Sequence, residues 1–188
     1  MNAMKRVFGY LKHYPRFGIT YDILEPDFDT YEVVKYDWFA QYGKCEEELP
    51  DDMPTPRGKA VRTGGFFDSD HAGCLQTRRS TASNLMLVNN TPVRWYSKRQ
   101  QTVESSAYGS EMVAGRIAVE HAVELRYTLR MMGVPVKGPT LLFGDNKSMV
   151  KNVTLPQSTL KKRHNAIAYH KVRQAAVSYT HLTLPTIA

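Results

Sequence analysis

Apolar residues recur along the chain with two spacings, which predict helices and strands in a definite order. Spacing by three and four residues predicts helices over 4–13, 104–132, 147–153 and 160–177. Alternating or continuous apolar runs predict strands over 18–24, 61–70, 84–88, 93–97 and 139–146. After residue 60 the order is three strands, a long helix, a strand and further helices, which predicts an α/β fold with a mixed sheet flanked by helices.

The regularity of the apolar pattern and the net charge both change near residue 60. Residues 1–60 mix acids, aromatic residues and prolines without a sustained period, which predicts an irregular acidic arm ending in the linker "PDDMPTPRGK". They hold 8 Lys and Arg against 11 Asp and Glu, whereas residues 61–188 hold 17 against 7, so the net charge of +7 belongs to the second part. A domain this basic is expected to attract a polyanion, most often nucleic acid, although excess charge also serves solubility.

Composition also narrows the class of protein. The sequence shows no run of apolar residues long enough for a membrane span and no signal-peptide pattern, so we expect an intracellular protein without a membrane partner. Cys45 and Cys74 lack the spacing of a zinc site and are expected to be reduced thiols.

Glu111 stands on the apolar stripe of the predicted long helix. Steps of three and four from it meet only apolar residues: Ala114, Ala118, Ala122, Leu125, Leu129 and Met132. An ionised carboxylate on a buried stripe is costly unless a cation meets it. Glu111 is therefore expected to pair with arginine, to bind a metal, or to lie at the rim near the positive end of the helix.

Two aspartates follow apolar strands. Asp145 comes directly after "LLFG" and is the single acid between Leu125 and Ala188, where ten Lys and Arg occur. Asp68 follows "TGGFF" in the same way. Sites in open α/β sheets form at the carboxyl ends of strands, although "GDN" is also a common turn sequence.

Asp68, Glu111 and Asp145 could therefore converge within a basic domain. Converging carboxylates repel each other, and a divalent cation removes the repulsion. Carboxylate oxygens suit Mg²⁺ or Mn²⁺, and two such ions about 3.5–4 Å apart serve in-line phosphoryl transfer.

Three motifs resemble the ribonuclease H domain of copia-type retrotransposon polyproteins. They are "DSDHAGCLQTRRSTAS", "VRWYSKRQQTVESSAYGSEMVA" and "LLFGDNKSMV". In addition, "MKRVFGYLKHYPRFGITYD" resembles the segment that links the reverse transcriptase to that domain, and the resemblance covers most of residues 4–177. It implies a ribonuclease H-like mixed sheet flanked by helices over residues 61–177, after a connection segment and arm over residues 1–60. It also implies that Asp68, Glu111 and Asp145 are the first three metal-binding carboxylates of the ribonuclease H site, with two Mg²⁺ or Mn²⁺ ions.

Other residues are assigned beside this site. We expect phosphate contacts from basic residues that could equally form a solvated face: Arg78, Arg79, Lys98, Arg99, Lys161, Lys162 and Arg163. Asp70 and Gly73 are expected to shape the turn after the strand, and His71, where relatives carry Trp, is expected to have no catalytic role. His164 and His170 are six residues apart and therefore do not share a helical face as a metal pair would.

The chain departs from the family after the predicted last helix. Ribonuclease H sites have a fourth acid at the start of a final helix, but no Asp or Glu follows Asp145 here. Residues 178–188 do not resemble the family and are expected to be a non-native tail, so that the last strand, the last helix and the fourth ligand would be missing. "VSYTHLTL" nevertheless alternates and is β-branched, which is compatible with a strand.

Three functions are consistent with these observations. The first is an endonuclease that cleaves the RNA strand of RNA:DNA hybrids during reverse transcription, in a cytoplasmic particle or the nucleus, with the reverse transcriptase and the rest of the polyprotein as partners. The second is a noncatalytic nucleic-acid-binding remnant. The third is a purely structural connection segment, which would bind no hybrid even at low salt.

Overall fold

The structure, a computed structural model, describes residues 2–16, 18–27, 36–44, 46–47, 49–160, 163–178 and 180–183. A five-stranded sheet forms its centre, in the order β3-β2-β1-β4-β5. The strands are β1 (Thr63–Asp70), β2 (Thr81–Val88), β3 (Thr91–Arg99), β4 (Thr140–Gly144) and β5 (Thr180–Thr183). The first three pair in antiparallel fashion, whereas β4 is parallel to β1 and β5 is parallel to β4. The predicted mixed sheet is confirmed.

Helices lie beside this sheet and before it in the chain. The α-helices of the described residues are α1 (Asn2–His13), α2 (Phe39–Tyr42), α3 (Ala107–Met131), α4 (Lys147–Thr154) and α5 (Ala166–Ser178). The predicted start at residue 104 was wrong, because the Ser106 side chain caps α3 by accepting from the Gly109 N–H. Gly133, with φ of 74°, follows its C-terminal cap as predicted. The predicted start of the last helix was also wrong, because residues 163–165 form a 3₁₀ turn before α5.

The core lies between α3, α4, α5 and one face of the sheet. Ala114, Ala118 and Ala122 are at most 1% exposed and present small side chains to the sheet, so the helix can approach it closely. They confirm most of the predicted apolar stripe. Met132 does not belong to it, because it lies at the helix cap and is 71% exposed.

The β2–β3 hairpin is longer than predicted. β2 begins before the predicted residue 84 and ends at Val88 as predicted, whereas β3 extends beyond 93–97 at both ends. The turn is reduced to Asn89 and Asn90, with Asn89 at φ of 52°. Pro92 lies within β3, which is an edge strand where a missing N–H is tolerated.

The predicted strand over residues 18–24 was wrong. The N–H of Asp22 donates to Thr91 Oγ1 over 2.8 Å, and the Asp22 carbonyl accepts from the same hydroxyl over 2.9 Å. The Ile23 carbonyl accepts from the Asn89 side chain over 3.0 Å. These side-chain partners satisfy the backbone where a strand would need a neighbouring strand.

The acidic arm also contacts helices of the domain through Glu47 and Trp38. Glu47 forms ion pairs with Arg126 and Arg130 on α3. The Arg173 guanidinium of α5 lies 4.7 Å from the centre of the Trp38 ring, at cation–π distance. The division of the chain near residue 60 stays a prediction.

Part of the predicted tail forms the edge strand β5. Thr180 to Thr183 pair with Thr140 to Phe143, which confirms that this stretch can form a strand. The expectation that the last strand would be missing was wrong, because β5 occupies the edge of the sheet beside β4, whereas the non-native origin of the tail stays a prediction. No helix within the described residues is both long enough and apolar enough to span a membrane.

Candidate metal centre

Three carboxylates from separate elements converge at one end of the sheet. Asp68 lies on β1, Glu111 on α3 and Asp145 directly after β4, and one oxygen from each lies within 4.8 Å of the others. The structure thus brings the three predicted residues together. Their roles in metal binding and catalysis stay predictions.

The register of the sheet explains why Asp68 and Asp145 meet. Pairing of β1 with β4 ends at Phe67 and Gly144, so each strand places an aspartate at its next position. Because the two strands are parallel and adjacent, both carboxylates emerge at the same edge. β1 continues beside β2 as far as Asp70 opposite Thr81, in agreement with the predicted end of the strand at residue 70, so Asp68 lies within β1 and only its pairing with β4 has ended.

Gly144 shapes the backbone immediately before Asp145. A Cβ atom on this residue would overlap the Phe67 ring, which lies against it. Only glycine therefore leaves room for Phe67 to pack at the end of the β1–β4 pairing. This packing supports the strand ends that carry the two aspartates.

Glu111 is buried in the second turn of α3, with 4% of its surface exposed. Its Oε1 atom accepts from the Ser69 N–H over 3.2 Å and from the Ser69 hydroxyl over 3.1 Å. Its Oε2 atom is buried and has no hydrogen-bond partner among the described residues. The rim position considered for Glu111 is thus wrong, and the pairing with arginine is not seen among its contacts in the part of the chain that the structure describes.

The environment of Glu111 disfavours its charge. Burial, together with the negative charges of Asp68 and Asp145, raises the pKa of this carboxyl to about 7, although the hydrogen bonds from Ser69 act in the opposite direction. A carboxylate placed here is stabilised by any cation that the cluster holds.

The residue set fits a divalent cation. It offers three carboxylates, and the unpartnered Oε2 atom of Glu111 is a buried acceptor that needs a donor or a cation. Hard oxygen ligands of this kind suit Mg²⁺ or Mn²⁺ better than thiolate- or imidazole-seeking metals.

Asp70 has a structural role in the adjoining turn. Its Oδ1 atom accepts from the Thr81 N–H across the ends of β1 and β2, and a Cβ atom on Gly73 would overlap its carboxylate. The predicted turn function of Asp70 and Gly73 is confirmed. His71 is exposed and lies outside the carboxylate cluster.

Four of the predicted phosphate-binding residues lie at the same end of the sheet as the carboxylates. Arg78 and Arg79 are exposed in the loop between β1 and β2, and Lys98 and Arg99 are exposed at the end of β3. Arg99 lies opposite Thr81, which in turn lies opposite Asp70. Phosphate binding by these residues stays a prediction.

The remaining predicted contacts lie in or before the 3₁₀ turn. Arg163 is exposed there, whereas Lys161 and Lys162 lie outside the described residues. His164 and His170 have different partners: His164 Nε2 lies 3.2 Å from Glu104, and His170 Nδ1 lies 2.8 Å from the Tyr42 hydroxyl. The absence of a metal pair formed by these two residues stays a prediction.

Ser69 is the site residue that sequence reasoning missed. Strand alternation contains the signal, because residues on either side of Asp68 in β1 point to the opposite face of the sheet. That face is the one covered by α3, where Phe67 and Ser69 are buried. A polar residue next to Asp68 on this face is therefore placed to reach the helix.

The sequence resembles parts of several known proteins. A secreted RxLR effector protein of Plasmopara viticola is 36% identical over 74 residues, which are 39% of this chain and 52% of that protein. The retrovirus-related Pol polyprotein from transposon RE2 of Arabidopsis thaliana is 24% identical over 125 residues, or 65% of this chain. The polyprotein from transposon TNT 1-94 of Nicotiana tabacum is 24% identical over 110 residues, or 58% of it. The matched segments span about half of the effector protein and 8% of each polyprotein.

Solved ribonuclease H structures share part of the architecture. RNase H1 of the halophilic archaeon Halobacterium salinarum NRC-1 aligns with a TM-score of 0.46 at 14% identity, covering 65% of this chain and 84% of that structure. LC11-RNase H1, solved with an RNA/DNA hybrid, aligns with a TM-score of 0.48 at 10% identity, covering 65% and 86%. Overall similarity at this level does not define a function.

No protein-family model matches the chain. The resemblance inferred from its motifs is confirmed at the level of the polyprotein class, while the copia type stays a prediction. The chain is a relative of the retrovirus-related Pol polyproteins of transposons, consistent with the ribonuclease H domain of such a polyprotein.

Proposed function

We propose that the domain is a divalent-cation-dependent endonuclease that cleaves the RNA strand of RNA:DNA hybrids during reverse transcription. The observation that carries the proposal is the convergence of Asp68, Glu111 and Asp145, with one oxygen of each within 4.8 Å of the others. A basic domain does not bring three acids together without cost, because like charges at this distance repel each other.

The three carboxylates would hold Mg²⁺ or Mn²⁺, with two ions as the full complement. Ions held there would activate water and stabilise negative charge during phosphodiester hydrolysis. The chain itself supplies the placement. β1 and β4 hold two carboxylates at one edge, and α3 brings the third from the side.

Hybrid binding is supported by the exposed basic residues at the same end of the sheet. Arg78, Arg79, Lys98 and Arg99 lie beside the strand ends that lead to the cluster. We expect them to contact phosphates, so that the hybrid is recognised through its backbone and 2′-hydroxyl groups with little sequence preference. The relationship to Pol polyproteins supports the rest of a polyprotein as partner. The reverse transcriptase as the part contacted, and an intracellular particle as the location, belong to the proposal.

A second candidate is a noncatalytic nucleic-acid-binding remnant. The observation that favours it is the exposed basic surface at this end of the sheet, since Arg78, Arg79, Lys98 and Arg99 would bind nucleic acid whether or not the carboxylates hold metal ions.

Cleavage of a labelled RNA:DNA hybrid in Mg²⁺ distinguishes the two functions. We expect the chain to cleave and Asp68→Asn to lower the rate by more than about a hundredfold, since it removes a metal-binding charge. Asp70→Asn is the matched control, because it lies two positions further along β1, outside the cluster, and keeps an oxygen for the Thr81 N–H.

The two candidate functions predict different results in the cleavage and binding assays. Cleavage that survives Asp68→Asn contradicts the proposed site. Salt-sensitive hybrid binding without cleavage supports the noncatalytic remnant, and no binding at low salt contradicts both functions.

A further inference from the structure

The Glu111 carboxylate has two oxygens in unlike environments. Oε1 accepts two hydrogen bonds from one residue, Ser69, at 3.2 and 3.1 Å. Oε2 is buried and has no partner among the described residues. Burying an acceptor without a partner is unfavourable, so the arrangement is expected only where a further group completes it.

The strand geometry makes the backbone part of this contact available. β1 loses its pairing with β4 after Phe67, so the Ser69 N–H has no partner on β4 and donates to Glu111. On its other side, Ser69 lies opposite Ala82 of β2, which holds the backbone in place. The donor is therefore fixed by the sheet and positions the helix-borne carboxylate relative to Asp68.

The hydroxyl adds a second donor from the same residue. Ser69 is 9% exposed, and its side chain points to the face of the sheet that α3 covers. Two donors converging on Oε1 restrict rotation of the carboxyl group about its terminal bond. They leave Oε2 as the acceptor free for another partner.

We propose that Ser69 is a positioning residue that occupies Oε1 of Glu111 and reserves Oε2 for the cation. The inference rests on the proposed function only in that the cluster binds a divalent cation. It assigns to the hydroxyl a role in metal affinity that the backbone N–H does not fulfil alone.

Mn²⁺ binding to the full chain, followed by electron paramagnetic resonance and calorimetry, tests this inference without any cleavage assay. Ser69→Ala removes the hydroxyl and keeps the N–H, and we expect it to weaken Mn²⁺ binding by about tenfold, as loss of a ligand-orienting partner does. Ser69→Thr keeps the hydroxyl and should restore most of the affinity. Ser83→Ala is the matched control, because this hydroxyl on the neighbouring strand contacts the Asp68 carbonyl and no carboxylate of the cluster.

Thermal unfolding of the metal-free variants separates positioning from folding. We expect Ser69→Ala to fold and to retain its Tm within a few degrees. Equal Mn²⁺ affinity in Ser69→Ala and the parent chain, or equal loss in Ser69→Ala and Ser69→Thr, overturns the inference. A parent chain that binds Mn²⁺ without cleaving hybrid contradicts the proposed function alone, whereas absence of Mn²⁺ binding overturns both.

Discussion

Arg126 forms a bidentate ion pair with Glu47, its Nε and Nη2 atoms donating to the two carboxylate oxygens over 2.8 Å each. Arg126 is 4% exposed and also donates to the Gly138 carbonyl, so the arm meets a buried guanidinium on α3. Arg130 binds the same carboxylate from the next turn of the helix. The acidic arm is thus joined to the basic domain through charges that are largely withdrawn from water.

Glu47→Gln should destabilise the fold near neutral pH and lose this effect in acid. Burial would raise the pKa of Glu47, but the hydrogen bonds and charges of Arg126 and Arg130 outweigh burial and lower it to about 2. Because this lies below the ordinary value of about 4.5, the stabilisation is complete above pH 4.5 and declines as the pH falls toward 2. We expect a loss of about 3 kcal/mol at pH 7, since a buried arginine is left without its counter-charge.

Urea unfolding at several pH values measures this difference. Glu46→Gln is the control, because the neighbouring Glu46 forms an exposed ion pair with Lys44 and should change stability by less than about 0.5 kcal/mol. A Glu47→Gln effect that is constant from pH 7 to pH 3 would contradict the assignment.

Glu111→Gln should stabilise the metal-free chain while removing its response to metal. The substitution removes one of three crowded negative charges and keeps an oxygen for Ser69. We expect a gain of about 2–4 °C in the Tm without metal, and no further gain on adding Mg²⁺, whereas the parent chain gains Tm with Mg²⁺.

Differential scanning fluorimetry with and without Mg²⁺ measures both the metal-free Tm and its change on adding Mg²⁺. Glu120→Gln serves as the control, since Glu120 lies on the same helix and pairs with Arg116 at the surface. A metal-free Tm of Glu111→Gln below that of the parent chain would show that the three charges do not oppose folding.

The sequence predicted the parts of the fold that local pattern determines. α3 and β4 were found because a long stripe with a 3.6-residue period and a continuous apolar run have few alternative explanations. Residues 18–24 have the alternation of a strand, but their backbone partners are the side chains of Asn89 and Thr91, more than sixty positions away in the chain. Alternation alone contains no information about such distant partners.

In the candidate site, too, local pattern identified some residues, while others depend on distant partners in the chain. Asp68 and Asp145 were identified because each follows an apolar strand, and Glu111 because it interrupts an apolar stripe. The contribution of Ser69 depends on where pairing between β1 and β4 ends, which is a property of the assembled sheet. No local pattern specifies that register.

Cys74 should be alkylated at neutral pH more readily than an ordinary thiol. Two hydrogen bonds with Thr77, one to its side chain and one to its backbone, lower the pKa of Cys74 to about 7. The positive charge of Arg99 acts in the same direction. Because the thiolate is the nucleophile, the alkylation rate should rise with pH and reach half its maximum near pH 7, against about 8.5 for a free thiol.

Iodoacetamide labelling of a Cys45→Ser variant isolates this reaction. Thr77→Val removes the first of these hydrogen bonds and should move the midpoint to higher pH, while Thr102→Val, in a different loop, should leave it in place. Identical midpoints in the Thr77→Val variant and its parent would contradict the cause given.

Hybrid affinity should depend on the basic residues beside the carboxylate cluster and on salt. Arg78→Ala and Arg99→Ala each remove an exposed charge at the cluster end of the sheet, and each should lower the slope of log K against log salt by about 1. The loss should be the same for hybrids of different sequence, because phosphates carry no sequence information.

Lys59→Ala is the control, since Lys59 is also exposed but precedes β1 and so lies toward the opposite end of the sheet. Fluorescence anisotropy without divalent cations, from about 50 to 300 mM salt, measures the slopes. This salt range is wide enough to detect a change of about 1 in the slope. An equal change in slope for Lys59→Ala would indicate that the whole basic surface attracts the hybrid and that the cluster end has no particular role in binding.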